Sequence, residues 1–174
     1  MGKTYNITVL PQNLFDKYMA DNNINDSNVE DIDDSMFISI IGTRECIKYY
    51  LEEDGTKHWF SSDHKNVINL EFDDLSNDIE WHGHKFKAIS SKQAMDLFEF
   101  IEKNINDGRR NVFIHCRAGI SRSQAVACFI VNMYKEYYVD YDTQNLLPYY
   151  ANKGVLRALM GEYYKKHPPF SDAF

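Results

Sequence analysis

The sequence predicts an α/β fold, with a central, mainly parallel sheet flanked by helices, and three features predict it. Short apolar or alternating runs at Tyr5 to Val9, Met36 to Ile41, Val67 to Phe72 and Val112 to Ile114 have the length of strands. Between and after them stand segments whose apolar residues recur at helical spacing. The run Val112-Phe113-Ile114 is wholly apolar, as expected of a parallel strand covered on both faces. Strands alternating with helices define this class.

Taken in order, Tyr5, Ile7 and Val9 alternate with polar residues, a strand pattern. Pro11 then opens a helix through Met19, because proline is tolerated in a first helical turn. Asp21 to Ser35 is rich in Asn and Asp and reads as a solvated loop. Its spacing superficially resembles a calcium loop, but it lacks a central glycine, and Ile32 stands where the bidentate Glu belongs. Met36 to Ile41 is a β-branched, buried strand. Gly42 to Lys65 is mixed and yields no assignment. Val67 to Phe72 is a strand that runs straight into Asp73-Asp74, and Leu75 to Ile89 reads as polar loop.

Ser90 or Ser91 caps the next helix. Its stripe is Ala94, Leu97, Phe98, Ile101 and Ile105, and Gly108 ends it. A second stripe, Val126, Phe129, Ile130, Met133 and Tyr137, follows the apolar strand. A last helix spans Asn152 to Lys165, with Val155, Leu156, Leu159 and Tyr163 inward. Neither a repeat nor a linker is evident, so residues 1–174 read as a single domain.

Composition narrows the function. The chain is 44% hydrophobic, which suits a globular protein. Its net charge of -7 argues against nonspecific nucleic-acid binding, so no nucleic-acid partner is expected. A local positive pocket remains compatible with that charge. No run approaches a membrane span, and Met1 to Asn6 has neither a signal-peptide core nor the Ser or Thr of a myristoylation pattern. A soluble cytoplasmic protein without a membrane partner is the expectation. Cys46, Cys116 and Cys128 are too few and too widely spaced for a disulfide framework or a zinc site. His58, His64, His82 and His84 fit no ligand spacing, so neither metal nor cofactor is expected.

The chemistry concentrates between Ile114 and Ser123. His115-Cys116-Arg117-Ala118-Gly119-Ile120-Ser121-Arg122-Ser123 forms a tight loop between a strand and a helix. That is where open α/β sheets bind ligands. The loop feeds a helix N-terminus, whose free N–H groups and dipole attract anions. Gly119 admits a turn that a side chain would block. A helix N-terminus and cationic neighbours lower a thiol pKa, so Cys116 is expected to be a thiolate. A thiolate can attack phosphorus. Arg122 presents a planar fork of donors matching phosphate oxygens in pairs. The N–H groups of Arg117, Ala118, Gly119, Ile120, Ser121 and Arg122 would hold the remaining oxygens and stabilise the transition state. Ser123 can donate its hydroxyl to the sulfur, and His115 can orient the loop and favour the thiolate. Arg117 reads either as a solvated charge or as an attractor of an anionic substrate.

At these residues the chain resembles the protein tyrosine phosphatase superfamily, whose signature is H-C-x-x-G-x-x-R-[S/T]. His115, Cys116, Gly119, Arg122 and Ser123 match it at every fixed place. A nucleophile near two thirds of a short chain resembles the compact dual-specificity branch. The resemblance implies a protein tyrosine phosphatase-like fold and a phosphocysteine intermediate. It also implies a general-acid aspartate on a loop after an earlier strand. Asp73 and Asp74 stand there. Continued strand alternation would send them to opposite faces, so only one should reach the phosphate. Related phosphatases carry the acid before an apolar residue, which favours Asp74, ahead of Leu75. Asp73 is the alternative, and Asp78 a distant third.

The resulting expectation is a cysteine-dependent phosphomonoester hydrolase. Its substrates would be phosphotyrosine, and by extension phosphoserine and phosphothreonine, in a phosphorylated protein or peptide. The alternatives are a phosphatase of RNA 5′ ends or of phosphoinositides, and a phosphate-binding module without turnover. The intact Cys116 and Arg122 argue against the last. Ser123 and the acidic pair also fit phosphate hydrolysis better than sulfur transfer or arsenate reduction.

Overall fold

The computed structural model describes residues 5–50, 57–134, 141–144 and 146–169. Its strands are β1 (Tyr5–Pro11), β2 (Ser35–Ile41), β3 (Val67–Glu71), β4 (Ile79–Trp81), β5 (His84–Phe86), β6 (Asn111–Cys116) and β7 (Tyr141–Gln144). Its helices are α1 (Gln12–Asp21), α2 (Arg44–Tyr50), α3 (Ser91–Asn106), α4 (Arg122–Met133) and α5 (Lys153–Lys166). Five strands form one sheet in the order β3-β2-β6-β1-β7, and every pairing in it is parallel. The predicted class is therefore observed: a parallel central sheet with helices on both faces.

Alternation along β6 explains how the two faces are filled. Val112, Ile114 and Cys116 point to one face, into a core shared with Leu97, Phe98 and Ile101 of α3, Val126 and Phe129 of α4, and Val155 and Leu159 of α5. Phe113 and His115 point to the other. There Phe113 stacks on Phe37, and His115 lies 4.3 Å from the Phe15 ring. That second core also holds Met19, Val29 and Phe60. With both faces covered, β2 and the middle of β6 have no solvent-facing side, hence their largely apolar runs.

Several boundaries differ from the sequence reading. Pro11 does not open the helix; it ends β1 with extended torsions and stands as the N-cap of α1. Its missing N–H costs nothing there. The strand around Val112 runs on through His115 to Cys116, so the loop proper begins at Arg117. Leu75 to Ile89, expected to be loop, contains an antiparallel hairpin of β4 and β5, turning at His82 and Gly83, both at positive φ. Three-residue, mostly exposed strands are too short to display an alternation signal. Part of the unassigned stretch from Gly42 to Lys65 is α2, and β7 adds a fifth strand beside β1 that carried no apolar run. Ser90, not Ser91, caps α3, in a reciprocal capping box with Gln93. Tyr137, assigned to the second helical stripe, and Met1 to Thr4 lie outside the described residues.

The Asn/Asp-rich segment is loop apart from one 3-10 turn at Val29–Asp31. Asp26 binds the Ser61 backbone and hydroxyl as well as His64, so the acids there hold neighbouring chain. No helix among the described residues is long and apolar enough to cross a membrane.

Candidate active site

Cys116 is the last residue of the central strand and only 2% exposed. The loop after it turns back through Ser121, the N-cap of α4. Gly119 makes that path possible. Its φ is +68, and a Cβ there would lie 2.7 Å from both Leu10 C and Pro11 N. The end of β1 thus sits where any side chain would have to go. Arg117 is pinned by the same segment, since the Gln12 N–H donates to its carbonyl at 3.1 Å.

Sequence reasoning passed over Gln124, one turn into α4 and fully buried. Its amide nitrogen donates to the Gly119 carbonyl at 2.9 Å, and its amide oxygen accepts from the Leu147 N–H at 2.7 Å. A buried glutamine inside an apolar helix was the available signal, because such a group is kept only with partners.

The Cys116 sulfur lies 3.1 Å from the Ser123 hydroxyl. Burial alone would push the thiol pKa up. The Ser123 hydroxyl, the backbone N–H groups of Ser123 and Ser121 and the charge of Arg122 outweigh burial, and the net shift is downward. The other two thiols go the opposite way: burial, reinforced by Asp73, pushes Cys46 up to about 11, and burial raises Cys128.

Arg122 is buried, and its Nη1 donates to the Phe72 carbonyl at 2.6 Å. Its Nε is buried without a hydrogen-bond partner. A buried guanidinium donor left over beside the Cys116 sulfur is a fitting partner for an anionic oxygen. His115 is fully buried, and burial holds its pKa down at about 3, so the ring is neutral. It therefore brings no positive charge to the Cys116 sulfur. Its Nε2 is 2.7 Å from the Ser39 hydroxyl, which is itself 2.6 Å from Nδ1 of His58. Neither Ser39 nor His58 was singled out for the site from sequence.

The acidic pair separates, although β3 ends at Glu71 and neither aspartate continues it. Asp73 points inward, 3% exposed. Its carboxylate accepts from the Thr43 N–H, the Thr43 hydroxyl and the Lys87 N–H, each at 2.8 Å. It is a structural clasp between the end of β2 and the end of the β4–β5 hairpin. Asp74 is exposed and faces the loop. Its Oδ1 accepts from the Ser121 hydroxyl and from Asn152 Nδ2, each at 2.7 Å. Asn152 also donates its backbone N–H to the Ser121 carbonyl and caps α5 through the Val155 N–H. One asparagine therefore holds the aspartate and the loop after Cys116 in register. Asp78 is engaged elsewhere, with Lys87 and the Ala88 N–H; the Lys87 bond leads in holding its pKa down.

The four histidines considered as a cluster are used separately. His58 binds Ser39, His64 binds Asp26, His84 binds Glu45, and His82 forms a turn. No protein-family model matches the chain, and no curated protein matches it in sequence.

Proposed function

We propose that this chain is a cysteine-dependent phosphomonoester hydrolase of the protein tyrosine phosphatase type, acting on phosphotyrosine and, through the same cradle, on phosphoserine and phosphothreonine of proteins. The observation that carries the reading is the convergence on one loop of three groups. They are a low-pKa thiol at Cys116, a buried guanidinium at Arg122, and the Asp74 carboxylate bound to Ser121.

The steps follow from those positions. The Cys116 thiolate attacks phosphorus; the S–P bond forms as the bond to the leaving oxygen breaks. That oxygen departs with a proton from Asp74, which offers Oδ2 because Oδ1 is committed to Ser121 and Asn152. A general acid of this kind is worth about 10²–10⁴-fold. Loop N–H groups and Arg122 stabilise the equatorial oxygens throughout. Water then attacks the phosphocysteine and gives its proton to the Asp74 carboxylate. The S–P bond breaks, inorganic phosphate leaves, and the Ser123 hydroxyl stabilises the returning thiolate.

The test is turnover of an aryl phosphate by the parent and by Cys116→Ser. Less than a few per cent of parental rate is expected, with vanadate or tungstate still bound and with parental activity insensitive to a chelator. Substantial activity in the serine variant, or activity that depends on an added divalent ion, would overturn the reading.

A further inference from the structure

His58 takes no part in the chemistry proposed above, yet it ends a chain of hydrogen bonds that reaches the neighbour of the nucleophile. Ser39 Oγ lies 2.6 Å from His58 Nδ1 and 2.7 Å from His115 Nε2. A serine hydroxyl carries one proton, so it donates to one ring and accepts from the other. Burial leads in lowering both ring pKa values, that of His115 to about 3, so both rings are neutral at neutral pH. A neutral imidazole has one N–H and one acceptor nitrogen. Ser39 therefore couples the two tautomers. Either both rings carry their proton on Nδ1, and the bonds run from His58 to His115, or both carry it on Nε2, and the bonds run the other way.

The enclosed ring decides between the two. His115 is fully buried, and its Nδ1 completes no hydrogen bond of good geometry. The Cys116 backbone acts on this ring and favours a proton on it, as a carbonyl does. With Nε2 taken by Ser39, the proton so favoured is the one on Nδ1. The opposite direction would turn a lone pair of Nδ1 toward that acceptor. His58 has no such constraint. It lines a cavity of about 560 Å³, where water can serve its other nitrogen.

We propose that His58 is a positioning residue for the nucleophile: it donates its Nδ1–H to Ser39, Ser39 donates to His115 Nε2, and His115 is thereby held with its proton on Nδ1, toward the Cys116 backbone. The inference takes Cys116 as the reacting group and so rests on the proposed phosphatase reading. A ring held this way fixes the end of β6, where the sulfur meets the Ser123 hydroxyl. It also turns the positive end of the imidazole dipole toward the residue that must hold a thiolate. A charge on His58 is not required. The charges of Asp63 and Glu71 favour its protonation, but a doubly protonated His58 would still donate from Nδ1.

Nitrogen-15 spectra of the histidine rings, recorded on the parent at neutral pH, read the direction. Both His58 and His115 are expected to be protonated on Nδ1 and bare on Nε2. A proton on Nε2 of either ring overturns the proposal. Two variants then read its consequence. His58→Leu removes the donor, and His58→Asn returns an N–H close to the place of Nδ1. In His58→Leu the His115 tautomers should mix, and the half-maximal pH for Cys116 alkylation should rise. Its kcat/KM for an aryl phosphate should fall about two- to tenfold, the effect of losing one neutral hydrogen bond. His58→Asn should bring all three readings back toward the parent. A His58→Leu variant with the parental tautomer and the parental half-point overturns the proposal. Should that variant fail to fold, the parental spectrum and the His58→Asn half-point still decide. Absent turnover in the parent would count against the phosphatase reading alone, because the spectra and the alkylation curve do not depend on it.

Discussion

The Ser121 hydroxyl donates to Asp74 at 2.7 Å, so the loop that would cradle the phosphate also holds the group that would protonate the leaving oxygen. Ser121 is the N-cap of α4 yet makes no capping bond with its side chain. That hydroxyl is spent on Asp74 instead.

The two aspartates should consequently fail in different ways. Asp74→Asn should slow hydrolysis of a phosphotyrosine peptide by about 10²-fold or more, and hydrolysis of an activated aryl ester far less, because only the basic leaving group needs the proton. Asp73→Asn replaces an acceptor of three donors and should lower stability by about 1–3 kcal/mol without leaving-group dependence. Thermal unfolding and a leaving-group series on both variants check this. The reverse pattern would move the acid to Asp73.

Labelling with iodoacetamide should single out one thiol. Alkylation follows the thiolate fraction, and the Cys116 pKa is lowered while burial raises those of Cys46 and Cys128. At neutral pH, peptide mapping should find Cys116 modified first. Ser123→Ala removes a bond that favours the charged sulfur, so the half-maximal pH should rise. An unchanged curve would mean that the 3.1 Å contact contributes nothing to the thiolate.

Gly119→Ala tests the close approach of β1 to the loop. A Cβ at 2.7 Å from two backbone atoms cannot be relieved by a rotamer change, and φ of +68 adds its own strain. Vanadate binding and turnover should both be lost, with stability lowered by at least about 1–3 kcal/mol. Gly83→Ala is the control: it also has positive φ but open space around it, so it should bind vanadate normally.

Ser39→Ala should leave two imidazole nitrogens without their partner, one of them on the fully buried His115. A loss of about 1–3 kcal/mol is expected, with turnover reduced and leaving-group dependence unchanged. Ser39→Thr, which restores a hydroxyl, should recover part of both.

Much of this site was legible in the sequence because its chemistry is local. Cys116, Gly119, Arg122 and Ser123 lie close together in the chain, from the end of β6 to the first turn of α4. That Asp73 and Asp74 would face different ways was read from strand alternation; the structure buries Asp73 and exposes Asp74, although β3 ends at Glu71, short of both. Asn152 and Ser39 were not legible. Each acts through a partner across the fold, as Asn152 does on Asp74. No local pattern announces such a pair. The β4–β5 hairpin escaped because exposed three-residue strands leave no periodic trace.

Asn152 also sets the order in which the site can be completed during synthesis. The three strands that frame Cys116 precede it, so the sheet can pair β1, β2 and β6 while residue 152 has yet to be added. Chains fold from the N-terminus as they emerge. A nascent chain at that stage owns the thiol, the guanidinium and the glycine turn, but not the amide that fastens Asp74 to the loop. The fastening of Asp74 to the loop can therefore form only after the strands that frame Cys116 and the start of α5 have all been made.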